Sequence, residues 1–115
     1  MSNKHQERKD TPVFSGACMY FPNAIKYVSQ VSLAGNQQHH PDKHLHWDKS
    51  KSKDEPDALL RHLIDAGIDG KNLDDDGMLH LGKTAWRALA YLERVLTDSY
   101  EPRKQPDFYG ENTRT

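Results

Sequence analysis

The stretch from Gly77 to Thr97 constrains the fold most, because its apolar residues recur with a helical period along its whole length. Leu81, Ala85, Ala88, Leu89, Leu92, Val95 and Leu96 fall on one side at 100° per residue, whereas a strand needs a period of two. Asp75 or Asp76 is placed to cap the helix N-terminus. Such a helix must bury its stripe against other helices, and the sequence predicts two. One runs from Pro56 to Ala66, with Leu59, Leu60, Leu63 and Ala66 as its apolar stripe and Gly67 as its stop. The other starts near Pro22-Asn23 and runs to Ala34, with Phe21, Ile25, Val28 and Val31 or Ser32 at helical spacing. Gly35-Asn36 is expected to end it. The expected fold is all-α: a small bundle of about three helices around Leu59, Leu63, Ala85, Leu89 and Leu92, with one long loop over an end.

A chain of 115 residues is sized for one domain. Residues 1–12 mix charge and polarity without periodicity and read as a flexible arm, residues 13–97 as the single helical domain, and residues 98–115 as a polar tail. Only 35% of residues are apolar and the mean hydropathy is −0.95, a modest supply for a monomer core, so a homo-oligomer is expected. No apolar run approaches the length of a membrane span, and the opening MSNKHQERKD lacks the apolar region of a signal peptide. With 17 acidic and 16 basic residues and no basic block, bulk binding to duplex nucleic acid is not expected. The one cysteine, Cys18, excludes an intrachain disulfide and a multi-cysteine zinc site, sits among apolar neighbours as a buried inert thiol, and suits a reducing cytoplasm.

The polar face of the last helix carries the most chemical information. His80, Lys83, Arg87 and Arg94 cluster within about 60° on the helical wheel. Two readings stay open: a solvated basic stripe, or an anion-binding wall in which Arg forks onto phosphate oxygens and Lys supplies a point charge. The middle helix adds Arg61 and His62. Asp57 and Asp65 flank Arg61 at i, i+4 spacing, so local ion pairs can saturate it. His62 lies on the border of the apolar face, as a ligand contact or a satisfied core histidine.

The 21-residue connection from Gly35 to Glu55 is long enough to be functional and holds His39, His40, His44, His46 and Trp47. His39, His44 and His46 can be brought to a zinc ion, but their spacing matches no closed structural site. The rival reading is a nucleotide-binding loop in which Trp47 stacks on a base or packs as an anchor, while His46, Lys49 and Lys51 approach phosphates. Asn72, Asp74, Asp76 and Gly77 fit the start of a calcium loop, but its twelfth position is Lys83 rather than Glu. The run therefore reads as a turn. Glycine-rich phosphate motifs and a serine nucleophile motif are absent.

Several short motifs occur in a specific order: Gly35-Asn36-x-x-His39, Leu45-His46-Trp47, Lys51-Ser52-x-Asp54, Asp57-x-Leu59-x-Arg61-His62-Leu63, Asp74-x-Asp76-Gly77-x-x-His80 and Lys83-x-Ala85-Trp86-Arg87-Ala88-Leu89-Ala90. Over roughly residues 19–96 the chain resembles a phage and prophage family labelled as the N-terminal domain of dATP/dGTP diphosphohydrolase. The family's Asp-His dipeptide reads Asp54-Glu55 here, and its loop Asn is His40. The resemblance implies a nucleotide ligand. It also implies a reaction, the conversion of a deoxynucleoside triphosphate to its monophosphate with Mg²⁺ as cofactor. All-α enzymes of that kind hold Mg²⁺ on clustered carboxylates, and the Glu-x-x-Glu pattern is missing from this chain.

Two hypotheses follow. In an Mg²⁺-dependent hydrolase, Asp57, Asp65 and Asp76 hold the metal and His62 or His80 acts as base. Phosphates then meet Arg61, His62, His80, Lys83, Arg87 and Lys51, with His46, Trp47 and His39 at the base. In a non-catalytic sponge, the cationic face alone sequesters a cyclic nucleotide or similar immune signal, as an anti-defence protein, without metal. A third reading is a helical interaction protein whose basic stripe meets an acidic partner.

Overall fold

The computed structural model describes residues 3–39, 41–42, 44–48 and 54–98. It is helical: α1 (Lys4–Lys9), a π-type turn (Phe14–Cys18), α2 (Pro22–His39), α3 (Glu55–Ala66) and α4 (His80–Thr97). Four α-helices occur among the described residues where about three were expected. α2, α3 and α4 stand where the sequence places helices, and α1 is additional. No strand is found among the described residues, so the fold is all-α. α1 lies within the segment the sequence assigns to an arm; its N-cap Asn3 accepts a hydrogen bond from the Gln6 amide at 2.7 Å. The expected tail, apart from Asp98, falls outside the described residues. Cys18 is half-buried rather than buried.

α3 starts one residue before Pro56 and stops where Gly67 takes φ +82°, a conformation that Gly adopts without the usual Cβ penalty. α2 departs from expectation. It runs through Gly35 for five residues beyond Ala34. Glycine inside a helix costs about 1 kcal/mol relative to Ala. Here tertiary contacts outweigh that cost: Asn36 is buried, and its Oδ1 accepts the backbone N–H of His46 at 3.4 Å.

α4 starts later than its sequence suggests, at His80, and neither Asp75 nor Asp76 caps it. Residues 72–80 instead form a tight reversal closed by a Leu73–Leu79 bridge. Gly77 turns it at φ +82°, and the Asp76 carboxylate accepts the Met78 amide at 3.0 Å. Leu79, just before α4, donates its N–H to the Tyr27 hydroxyl of α2 at 2.7 Å. α2 and α4 meet closely because Gly82 has no side chain; a Cβ there would run into the Tyr27 ring. The Trp86 indole N–H donates to Ser32 Oγ at 2.6 Å one turn further on.

α3 and α4 pack antiparallel: Glu55, at the start of α3, pairs with Arg94 near the end of α4, while His62 meets His80 at its beginning. Their seam is built from small residues. Ala58, Ala66 and Ala90 are buried, and Gly82 and Val31 are buried where α4 meets α2. The leucines expected to form the core flank this seam. Leu59 and Ala85 are half-buried, whereas Leu63, Leu89 and Leu92 remain 46%, 49% and 53% exposed. Close approach through alanine and glycine leaves the bulkier side chains no room between the helices, so they turn outward.

Candidate functional site

The antiparallel α3–α4 pair brings together side chains 18 residues apart. His62 Nδ1 and His80 Nδ1 lie 3.0 Å from each other, their rings tilted by 35°. Only one of the two nitrogens can carry the proton of that contact. Burial lowers the pKa of His62, with the neighbouring His80 and Lys83 acting in the same direction. The reversal before α4 then delivers two carboxylates. Asp74 Oδ2 sits 4.0 Å from His80 Nδ1 and 2.6 Å from Lys83 Nζ, and Asp76 Oδ2 is 2.8 Å from the same ammonium.

The hydrogen bond from Lys83, with a second from the Asp75 amide, holds the Asp74 carboxyl at about 2. The same ammonium lowers Asp76. Burial opposes the charge on Lys83, but its hydrogen bonds to Asp74 and Asp76 outweigh this and raise its pKa. The basic stripe of α4 is thus matched by carboxylates along its length: Lys83 by Asp74 and Asp76, Arg87 by Asp54 at 3.9 Å, and Arg94 by Glu55 at 3.6 Å.

Of these groups Asp54, His62, Asp74, Asp76, Lys83 and Arg87 border a cleft of about 900 Å³ between the C-terminal half of α2, residues 45–48, α3 and the start of α4. Trp47 packs edge-on against Trp86, ring centroids 5.4 Å apart, and the Arg87 guanidinium lies 5.6 Å over the Trp86 ring. His46 Nδ1 bonds the His44 carbonyl oxygen at 2.9 Å.

Of the residues expected from sequence, His39, His46, Trp47, His62, Asp76, Lys83 and Arg87 line the cleft, and His80 adjoins it through His62. Arg61, Asp57 and Asp65 are exposed on α3 and are not among its lining residues. Lys51, with His40, Lys43 and Lys49, lies outside the described residues. Asp74, Asp54, Asp48, Asn36 and Trp86 line the cleft without having been singled out as site residues. Asn36, Asp54, Asp74 and Trp86 were signalled only by the ordered motifs Gly35-Asn36-x-x-His39, Lys51-Ser52-x-Asp54, Asp74-x-Asp76-Gly77 and Ala85-Trp86-Arg87, and Asp48 by none, since no helical period connects a loop or turn carboxylate to a helix.

The metal set expected from sequence is not assembled. Asp57, Asp65 and Asp76 come from an exposed face of α3 and from the reversal. Among the described residues it is His62, Asp74 and His80 whose ligand atoms all lie within 4.8 Å of one another. Mg²⁺ prefers an all-oxygen shell, so a set of two imidazoles and one carboxylate does not fit it.

The cleft of this all-α domain joins paired histidines, carboxylates and aromatic rings. A profile of the family described as dATP/dGTP diphosphohydrolase, N-terminal, matches residues 2–103, and the chain belongs to that family. Neither a curated protein nor a solved structure matches the chain. No described helix is long and apolar enough to cross a membrane.

Proposed function

We propose that this cleft binds deoxynucleoside phosphates in a cation-dependent way and that the bound triphosphate is hydrolysed to the monophosphate. One observation carries the reading. Among the described lining residues, Lys83 and Arg87 are the only Lys or Arg and stand with Asp48, Asp54, Asp74 and Asp76, so four carboxylates outnumber two cations. Both cations are already engaged. A triphosphate entering such a cleft meets net repulsion unless a divalent ion lies between phosphate and carboxylate oxygens. The family to which the chain belongs supports the choice of nucleotide and reaction.

In this reading Arg87 and Lys83 turn from their carboxylates towards phosphate oxygens. The Trp47–Trp86 pair offers the base an aromatic wall. We also infer that the molecule works as a homo-oligomer. The monomer buries only Val31, Ala58, Ala66 and Ala90 among its described apolar side chains, while Leu60, Leu63, Ile64, Leu89, Leu92 and Leu96 form an uncovered face on α3 and α4. A second copy of the same helix pair would turn two helices into a four-helix arrangement with those leucines inside.

The test is calorimetric titration with dATP, dGTP and cyclic dinucleotides, with and without divalent cations, followed by chromatography of the recovered nucleotide. Binding that requires the cation, with monophosphate recovered, is the expected result. Tight metal-free binding of a ligand recovered intact would replace this reading with that of a sponge.

A further inference from the structure

We propose that His62, Asp74 and His80 form a binding site for one borderline first-row divalent cation, of the Mn²⁺ to Zn²⁺ series, in preference to Mg²⁺. The inference specifies the cation that the nucleotide reading calls for. It is tested without nucleotide, so the two can fail separately.

The geometry carries it. The two Nδ1 atoms are 3.0 Å apart, and an ion at the usual distance of about 2.1 Å from each would see them at roughly 90°, an angle that octahedral and distorted tetrahedral sites accept. Asp74 Oδ2 is 4.0 Å from His80 Nδ1, just inside the separation of two ligands of one ion. The three donors come from three places, mid-α3, the reversal and the start of α4. Helix α3 holds the first, and two backbone bonds of the reversal hold the others: the Asp74 N–H to the Met78 carbonyl oxygen, and the His80 N–H to the Asn72 carbonyl oxygen. A site so constructed is pre-organised, because the ligands do not have to be gathered from one flexible segment. Two imidazoles and a carboxylate select borderline ions over hard ones, and three protein ligands leave positions open towards the cleft.

Lys83 is part of the same device. Its ammonium touches the Asp74 oxygen that would face the ion, and it also holds Asp76. In the metal-free protein it supplies positive charge beside a carboxylate that the ion would neutralise, so it competes with the metal. That competition separates a ligand site from a merely structural cluster: removing Lys83 should tighten metal binding, whereas loss of a purely structural ion pair would leave it unchanged or weaken it.

The experiment titrates Co²⁺ alone into the chelator-treated full chain, following its visible d–d absorption and then its displacement by Zn²⁺ or Mg²⁺. One equivalent is expected to bind, to be displaced by Zn²⁺ and to resist a large excess of Mg²⁺. His62→Asn and His80→Asn should each weaken Co²⁺ by more than about 100-fold, since even supporting residues of metal sites cost 10- to 100-fold. His44→Asn, on an exposed loop residue that does not line the cleft, should leave affinity unchanged. Lys83→Met should tighten it by about tenfold, and this arm decides the matter if circular dichroism shows that the histidine variants do not fold. Absence of Co²⁺ binding, ready displacement by Mg²⁺, full affinity in both histidine variants, or weaker binding in Lys83→Met would each overturn the proposal.

Discussion

The two halves of α4 carry cations on the same helical face and use them for different ends. Near its N-terminus Lys83 meets Asp74 and Asp76 in an open cleft, where all three side chains retain contact with water. Near its C-terminus Arg94 meets Glu55, which is 2% exposed and the largest fully buried side chain among the described residues. Ion pairs of the first kind are worth little to stability, because water screens them and releases their groups at small cost. A pair of the second kind is costly to break, because the surviving charge has been removed from water. The helix therefore has a replaceable end and a fixed one: groups in the cleft can exchange partners, and those in the seam hold α3 against α4.

The largest effect should come from the fixed end. Arg94→Met leaves the Glu55 carboxylate buried without this guanidinium and should destabilise the fold by about 3 kcal/mol, read from the urea midpoint. Adding Glu55→Gln should restore much of the loss. A cost near zero for Arg94→Met would mean that the two ends of α4 are alike.

Next comes the outer face. Leu92→Asp places a charge among the uncovered leucines, where a monomer would tolerate it. In an oligomer it should dissociate the subunits, seen as a smaller sedimentation coefficient and as loss of the dependence of the thermal midpoint on dilution that the parent chain shows.

The smallest effect belongs to the cleft. The Asp74 carboxyl is held at about 2, below the ordinary 3.8, so the native state keeps its charge where the unfolded chain has begun to take up a proton. Its contribution is present above pH 4 and is lost as pH falls from 3.8 through 2. In chelator-treated protein, Asp74→Asn should remove about 1 kcal/mol of stability at neutral pH and flatten the decline over that window. An unchanged acid limb would mean that Lys83 does not favour the Asp74 carboxylate.

Much of the helical layout was legible because it rests on local signals. Pro56 and Gly67 bracket α3 to within one residue, since a proline suits the first turn and a glycine takes positive φ after the last. Gly35 carries a similar punctuation mark but does not end α2, because the buried Asn36 and its bond to the His46 amide lie ten residues away in sequence. The helical wheel placed Leu63, Leu89 and Leu92 correctly on an apolar face. It carried no information on whether that face is buried within this chain, and the close, small-residue seam leaves it exposed. His62, His80, Lys83 and Arg87 were legible as polar groups of interest. Their carboxylate partners were not, because partnership across a turn or between helices has no period.

The sequence alone determined that the chain is helical, roughly where its main helices lie and which family it belongs to, all properties carried by residues near one another or in a set order. The tertiary structure decided what those residues do together. Antiparallel packing of α3 on α4 set His62 against His80, and the reversal before α4 swung Asp74 to both His80 and Lys83. Contacts of this kind depend on the angle and separation of whole helices, which small residues such as Ala58, Gly82 and Ala90 set by letting the backbones approach.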